Sequence, residues 1–298
     1  MWRTCAASWS TRRAFPASLG RLPAGGKGAN DSEGRGDVFF HILEYLTYAL
    51  PIVILLENVE NLIVKHNEFF EKVILASLKS LGSAADRTDY TVVWRVRCTT
   101  DDGVPHRRPR VWIVCLRNDR FVNRFSWPKA IKPMTLQAVL GPPPKRSLES
   151  PDFYPTSQVQ RLNLDKFRAE RKKEGVTDIR QKSYGLDLDS SPGWFTWHEN
   201  MIPTLTSSRG GGVGMFLTRH NRFTTARDMG LLQGFKHHEI NQILGCQISE
   251  THAGKMFGNG YSRCSVERIL GRCLLSTGLL SSFLDRWSGA VLLAEPRL

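Results

Sequence analysis

The pattern of hydrophobic and polar positions is most informative between residues 37 and 58. Residues 37–50 (DVFFHILEYLTYAL) place apolar side chains at helical spacing and stop at Pro51, which predicts a helix. The apolar residues 52–56 then run directly into Glu57 and Asn58. An unbroken apolar run of this kind predicts a central parallel strand buried on both faces. Because open α/β sheets present ligand-contacting residues at the carboxyl ends of their strands, Glu57 and Asn58 are candidate site residues.

A second interpretation of Glu57 is that it caps a helix beginning near Leu62 and has no chemical role. That helix should end at Gly82, since its apolar residues lie on one side and glycine is a common helix stop. Residues 90–98 (YTVVWRVRC) and 111–116 (VWIVCL) are rich in β-branched and aromatic residues and predict two strands. Their connection is too short for a crossover helix, so the two strands should pair antiparallel.

Regular patterns weaken after about residue 118 and resume near Pro203. Residues 210–214 (GGGVG) follow no predicted strand and precede no GKS or GKT, so they predict a flexible connection and not a phosphate-binding loop. Further helices are predicted at residues 164–175, 224–232 and 262–275.

Positive charge is concentrated in one part of the chain. The 298 residues carry a formal charge of +13, and residues 105–185 contain 18 lysines and arginines against 7 acidic residues. Such density favours a polyanionic partner, most commonly the phosphates of a nucleic acid. A solvated basic surface with no partner is the alternative.

Composition sets further bounds. With 41% hydrophobic and 23% charged residues, the chain is long enough for one large α/β domain and a smaller one. The apolar stretch around residues 46–56 is interrupted by Pro51 and too short for a membrane span, which predicts a soluble protein. The six cysteines show no CxxC pair, so neither a zinc site nor a disulfide framework is indicated, and a reducing compartment fits best.

The first 30 residues contain five basic residues, several serines and alanines and no acidic residue. This composition indicates an organelle transit peptide, a segment that does not fold, or a misassigned start. A transit peptide would imply an organelle location. Otherwise, a nuclear location is expected if the protein is eukaryotic.

Four motifs occur in a fixed order: residues 57–59 (ENV), 104–110 (VPHRRPR), 223–235 (FTTARDMGLLQGF) and 258–260 (GNG). Together with residues 36–40 (GDVFF) and 203–206 (PTLT), they resemble the later signature motifs of the DNA (cytosine-5) methyltransferases. Each motif alone is weak, whereas the ordered set is highly specific. The resemblance spans residues 27 to 270.

The resemblance implies a mechanism and roles for individual residues. In the family, a cysteine thiolate adds to cytosine C6 so that C5 can accept a methyl group from S-adenosylmethionine. Glu57 would support that addition by general acid catalysis at N3, an effect worth about 10²–10⁴-fold. Arg108 and Arg110 match the two arginines of the QxRxR motif, and Arg110 would contact the base and hold the carboxylate. The cofactor-binding positions implied are Asn58, Gly258 and Asn259. Metal ligands are not implied.

Three departures from the family pattern are visible. His106 stands where the family has Gln. A glycine-rich FxGxG cofactor turn is not found before Lys27, and Ser18 aligns with the nucleophilic cysteine. A serine hydroxyl is a far weaker nucleophile than a thiolate, and Cys5 lies too far upstream for this alignment. Arg227 and Asp228 lie in a motif whose family role is structural.

The predicted fold class is therefore α/β, a truncated Rossmann-like S-adenosylmethionine-dependent methyltransferase sheet with a small basic target recognition domain. The predicted divisions are an unstructured or misassigned segment (1–30), a partial catalytic domain (31–117 and 203–280), the recognition domain (118–202) and a tail (281–298).

The predicted function is transfer of a methyl group to C5 of a flipped cytosine in duplex DNA, with activity impaired by the missing motifs. Two alternatives remain open. One is a non-catalytic nucleic-acid-binding module, and the other is a relative that methylates transfer RNA. The sequence does not determine the target sequence or the oligomeric state.

Overall fold

The structure, a computed structural model, describes residues 3–6, 38–82, 89–145 and 153–294. Ser18, Lys27 and nearly all of the predicted segment 1–30 lie outside these residues. Compact packing divides the chain into two units. The first unit comprises residues 1–97, 109–128 and 268–298, and the second comprises residues 98–108 and 129–267.

The strands are β1 (Arg3–Ala6), β2 (Val53–Val59), β3 (Tyr90–Cys98), β4 (Pro109–Arg117), β5 (Tyr184–Leu186), β6 (Trp197–Glu199), β7 (Phe216–Leu217), β8 (Arg222–Phe223), β9 (Ser282–Asp285) and β10 (Ala290–Leu293). The α-helices are α1 (Val38–Ala49), α2 (Asn61–Phe69), α3 (Ala76–Lys79), α4 (Leu136–Leu140), α5 (Gln158–Lys173), α6 (Ser207–Gly211), α7 (Ala226–Leu232), α8 (His237–Gly245), α9 (Glu250–Asn259) and α10 (Arg263–Ser276). A π-helical segment, Phe70–Leu75, joins α2 to α3, so the helix predicted to end at Gly82 runs from Asn61 to Lys79 with a kink at His66, whose backbone angles are not helical.

The sheet of the first unit has the strand order β1-β2-β4-β3. As predicted, β2 is central and buried, and β3 and β4 are hydrogen-bonded neighbours. The predicted parallel direction of β2 is wrong, because β2 pairs antiparallel with both β1 and β4. An apolar run reports burial on two faces, and it carries no information about the direction of the neighbouring strands.

The two faces of this sheet have different surroundings. One face packs against the helices α1 to α3 and forms the core of the unit with Leu46, Ile54, Phe70, Ile74 and Ile113, all at most 2% exposed. The opposite face of β2 and β4 carries alternate residues, because successive side chains of a strand point to opposite sides. This second face carries Glu57 of β2 and Arg110 of β4.

The second unit contains a four-stranded sheet of order β6-β5-β7-β8, in which neighbouring strands pair antiparallel. Strands β5 and β6 belong to the predicted recognition domain (118–202), whereas β7 and β8 follow residue 203. The predicted boundary at residue 202 therefore falls inside one hydrogen-bonded sheet. Basic helix α5 packs on this sheet through Leu164 and Phe167, which are fully buried.

Residues 210–214 do not form the flexible connection that the sequence predicts. Gly210 and Gly211 end helix α6, and a Cβ on Gly210 would lie 1.9 Å from the backbone oxygen of Gly254 in α9. The absence of a side chain thus allows the two helices to touch through their backbones. At Gly210, the glycine serves the close packing of two helices.

The predicted tail, residues 281–298, contains an ordered hairpin formed by β9 and β10. Its Asp285 accepts a hydrogen bond of 2.8 Å from Nε of Arg268 in α10, and both side chains are at most 3% exposed. Burial raises the pKa of Asp285, but the hydrogen bonds from Arg268 and Ser288 outweigh that effect and lower it overall. This buried ion pair fixes the hairpin to the helix.

The core of the first unit yields a prediction. Ile113→Ala should lower the free energy of unfolding by about 2–5 kcal/mol, because Ile113 is fully buried in the central strand pair. Val64→Ala is the matched control, since Val64 is 70% exposed and its loss should change stability by less than about 0.5 kcal/mol. Urea denaturation of both variants measures the difference, and equal effects would contradict the assignment of this core.

Candidate active site

Glu57 and Arg110 are brought together by the register of β2 and β4. Val59 stands opposite Arg110, and Glu57 stands opposite Trp112, so all four side chains lie on one face of the sheet. Glu57 and Arg110 are diagonal neighbours, a separation that a long arginine side chain can bridge. Arg110 Nε lies 2.9 Å from Glu57 Oε1.

This ion pair is largely withdrawn from water. The side chains of Arg110 and Glu57 are 12% and 6% exposed. Arg110 also donates through Nη1 to the backbone oxygen of Pro109 at 2.7 Å. The arrangement holds a carboxylate and a guanidinium side by side at the edge of the strands, where both can hydrogen-bond a planar polar group.

Asn58 points away from this pair, because neighbouring strand residues face opposite sides. Its position opposite Val111 places it on the face that carries the helices. Asn58 Oδ1 accepts a hydrogen bond of 2.8 Å from the backbone N–H of Val59, and the residue is 6% exposed. Asn58 therefore stabilises the backbone at the end of β2.

Arg108 lies in the second unit and serves a different set of partners. Its guanidinium donates to the backbone oxygens of Leu205, Gly258 and Gly260, the last two at 3.1 Å each. The residue is 5% exposed. Arg108 thus joins the 203–206 motif to the 258–260 motif. Without it, these backbone carbonyl oxygens would lose the side chain that donates hydrogen bonds to them. This contact set indicates that Arg108 organises the backbone within its unit.

His106, which replaces the Gln of the family, is fully buried next to the same motif. Its Nε2 accepts a hydrogen bond of 2.9 Å from the backbone N–H of Leu205. An accepting Nε2 requires a neutral imidazole with the proton on Nδ1. A glutamine oxygen can accept the same bond, which explains how the two residue types can exchange at this position.

A further polar chain in the second unit was not identified from the sequence. Gln233, fully buried, donates to the backbone oxygen of Phe257 at 2.8 Å and accepts from the Ser262 hydroxyl at 2.5 Å. Ser262 Oγ lies 3.2 Å from Thr99 Oγ1, which donates to the backbone oxygen of Arg108. Through Gln233, the motif 223–235 thus bonds the backbone at Phe257, and Arg108 bonds it at the next residue, Gly258.

Asp228 has the structural role expected from the sequence. It caps α7 through the backbone N–H of Thr225 and pairs with Arg222, with Arg222 Nη1 2.5 Å from Oδ2. Burial raises the pKa of Asp228, and the hydrogen bonds from Arg222 and Thr225 lower it by more, so the net shift is downward. The carboxylate is therefore kept charged as part of the helix start.

Gly258 is held in contact with the 203–206 motif. A Cβ on Gly258 would lie 2.1 Å from the backbone oxygen of Thr206. The space beside Gly258 is filled by the protein's own backbone, so Gly258 itself does not form an open cradle for a cofactor. Cofactor binding by Asn58, Gly258 and Asn259 stays a prediction.

Known relatives identify the family. The family model described as C-5 cytosine-specific DNA methylase matches residues 24–273. The chain therefore belongs to the C-5 cytosine-specific DNA methylase family, whose members are DNA (cytosine-5) methyltransferases that use S-adenosylmethionine as methyl donor. The fold class predicted from the motifs, an S-adenosylmethionine-dependent methyltransferase fold, is confirmed.

Three type II methyltransferases illustrate the similarity. M.NgoBI of Neisseria gonorrhoeae is 27% identical over 271 residues, covering 88% of this chain and 73% of that protein. M.HhaI of Haemophilus parahaemolyticus is 26% identical over 257 residues, covering 82% and 69%. M.BsuFI of Bacillus subtilis is 36% identical over 249 residues, covering 83% and 53%.

Solved structures give a weaker likeness. A methyltransferase of Entamoeba histolytica, EhMeth, matches with a TM-score of 0.49 at 17% identity, covering 82% of this chain and 69% of that one. The Dnmt2 methyltransferase of S. pombe matches with a TM-score of 0.47 at 17% identity, covering 81% and 72%.

Two other features of the described residues bear on the class of protein. None of their helices combines the length and the apolar character that crossing a bilayer requires. The same residues contain no group of three or more His, Cys, Asp or Glu side chains placed to hold a metal ion.

The Glu57–Arg110 pair can be tested by a double-mutant cycle. Arg110→Met should cost about 3–5 kcal/mol of unfolding free energy, because it leaves the Glu57 carboxylate buried without its partner. The double variant Glu57→Gln/Arg110→Met should recover part of that loss, and guanidinium denaturation of all four proteins gives the coupling energy. Additive effects would show that the two side chains do not interact.

Arg108 yields a separate prediction. Arg108→Met should lower stability by at least about 2 kcal/mol, because it leaves three backbone oxygens without the guanidinium that bonds them. Arg107→Met is the control, since Arg107 is exposed and removes the same charge. Thermal unfolding compares the two, and a loss in Arg108→Met no larger than in the control would contradict the contact set.

Proposed function

We propose that this chain binds duplex DNA and holds a cytosine that has left the helix, with Glu57 and Arg110 bonding the edge of the base. The observation that carries the proposal is the buried pair at the ends of β2 and β4, in a chain of the C-5 cytosine-specific DNA methylase family. A base inside a duplex cannot reach such a buried pair, so the cytosine must be extruded at a cost of a few kcal/mol.

The chemistry of the pair matches cytosine. The Watson–Crick edge of the base presents the O2 acceptor, N3 and the N4 amino donor in one plane. A guanidinium can donate to O2, and a carboxyl group can bond N3 and N4. Because their ion pair fixes Arg110 and Glu57 relative to each other, little side-chain entropy is lost when the base binds. Thymine offers the O4 acceptor in place of the N4 amino group, so the carboxylate loses that donor and faces a second oxygen.

The basic segment supplies affinity for the DNA backbone. Residues 105–185 carry 18 lysines and arginines against 7 acidic residues, and Lys166, Lys172 and Lys173 of α5 are exposed. Phosphate contacts of this kind are independent of sequence and weaken steeply with salt. We therefore assign residues 118–202, with the strands β7 and β8 that complete their sheet, to recognition of DNA.

Methyl transfer by the chain itself is proposed to be impaired. S-adenosylmethionine supplies the methyl group in this family, and the base must first be activated by a thiolate at C6. Burial raises the pKa of the Cys115 thiol, and it raises that of Cys273 to about 12. Cys115 also points to the helix-covered face, opposite to Glu57. Neither thiol is therefore suited to attack the base, and the sequence contains no Pro-Cys-Gln segment.

The proposal predicts selective binding of an extruded cytosine. Duplexes that carry one cytosine or one thymine opposite an abasic site avoid most of the pairing cost. Wild-type protein should bind the cytosine duplex more tightly by roughly 5- to 150-fold, the equivalent of about 1–3 kcal/mol for a paired polar contact. Glu57→Gln should lose most of this preference and retain its affinity for ordinary duplex DNA. Fluorescence anisotropy at two salt concentrations measures both.

Glu60→Gln is the matched control, because it removes the same charge three residues away and should keep the cytosine preference. Incubation with labelled S-adenosylmethionine and either DNA or transfer RNA completes the test, with only trace label expected in DNA. Rapid labelling of DNA would contradict the impaired activity, and label in transfer RNA alone would contradict the substrate. Salt-sensitive binding with no preference for cytosine would instead support a non-catalytic binding module.

A further inference from the structure

Trp194 is displayed to solvent by a short turn of the second unit. It ends the 3₁₀ turn Pro192–Trp194 within the loop that joins β5 to β6. Its exposed fraction is 79%, the highest of the large hydrophobic side chains described. Burying an aromatic ring is among the largest apolar gains available to a protein, and tryptophan is enriched at interfaces, so an indole this exposed is a candidate for contact with a partner.

The loop that carries Trp194 is held by side chains on both flanks. Asp187 N–H donates to the backbone oxygen of Thr196 at 3.0 Å, which closes the base of the loop. Asn163 Nδ2 of α5 donates to the backbone oxygens of Leu188 and Ser190 at 2.9 and 2.8 Å. These bonds fix the backbone while the indole itself remains uncovered.

Two carboxylates of the loop also bond to neighbouring helices. The Asp187 carboxylate accepts a hydrogen bond of 2.6 Å from Arg209 Nε of α6, and the Asp189 carboxylate accepts one of 2.6 Å from Gln160 of α5. Because both helices contribute, the turn is anchored from two sides. A fixed position lowers the entropy cost of any contact that the ring makes.

Trp197, three residues later, is packed against other side chains. Its ring lies 5.2 Å from that of Phe167 and 5.8 Å from that of Tyr184, and the guanidinium of Arg171 sits 4.1 Å above it. In the described part of the chain, no aromatic ring or guanidinium stacks on Trp194 in this way. The unit therefore has an aromatic core into which Trp197 is placed and from which Trp194 is excluded.

The basic residues of the helix that holds this loop indicate a class of partner. Helix α5, which holds the loop through Asn163, exposes Lys166, Lys172 and Lys173. A positively charged surface with a displayed aromatic ring is the combination that binds nucleic acid by phosphate contacts and base stacking. We propose that Trp194 stacks on the face of a nucleobase in the bound DNA, a proposal that rests on the DNA binding argued above.

The test compares variants of the full chain on one duplex. Trp194→Ala should weaken binding by about 5- to 150-fold, as expected for loss of one base–aromatic stack, and Trp194→Phe should retain most of the affinity. The dependence of affinity on salt should not change in either variant, because no phosphate contact is lost. Tyr45→Ala is the control, since Tyr45 of α1 is an aromatic residue that is 43% exposed and lies outside the residues assigned to DNA recognition, and it should change affinity by less than about twofold.

A second readout reports stacking directly. Binding should quench tryptophan fluorescence in the wild type, and the part of that quench due to the indole at position 194 should be missing in Trp194→Phe. Equal affinity and equal quench in wild type and variants, with salt-sensitive binding intact, would overturn the role of Trp194 and leave the proposed function standing. A loss of affinity as large in Tyr45→Ala would overturn it as well. If the wild type shows no salt-sensitive DNA binding, the proposed function itself fails.

Discussion

The arrangement of the candidate site depends on one constraint, the register between β2 and β4 that places the Glu57 carboxylate against the Arg110 guanidinium. A shift of β4 by one residue would turn Arg110 into the apolar core and bring Val111 into the place of the ion pair. The apolar residues of β4 oppose such a shift, because Val111 and Ile113 would then lose their places among the core residues. The hydrophobic core and the polar site therefore specify the same register.

The two arginines of the 104–110 motif are separated by a single residue, and the structure gives them different partners. Arg110, at the start of β4, takes its orientation from the strand and pairs with Glu57 across it. Arg108 precedes the strand and bonds the backbone carbonyls of Leu205, Gly258 and Gly260. The motif thus combines a side chain that can meet a base with one that holds backbone segments of the second unit. Residue type alone does not separate these roles.

Much of the first unit could be predicted from the sequence, because its elements are long and strongly patterned. The helix ending before Pro51, the buried strand and the paired strands β3 and β4 all appear close to their predicted bounds. The second unit was predicted less well. Its strands are only two or three residues long, too short for a periodic pattern, and helices α8 and α9 were missed. The backbone contact of Gly210 with Gly254 depends on residues 44 positions apart, which local sequence does not reveal.

The motifs indicate the residues of the candidate site, whereas the geometry of the site follows only from the fold. Glu57 was identified as the end of an apolar run, but its partner, 53 residues later, follows only from strand order and register. The most direct test is the NMR signal of the Arg110 Nε–H, with the exposed Arg107 as an internal reference. A buried hydrogen bond to Glu57 predicts a slowly exchanging proton whose chemical shift changes in Glu57→Gln. A proton that exchanges as fast as that of Arg107, and is unaffected by Glu57→Gln, would contradict the pairing on which the account rests.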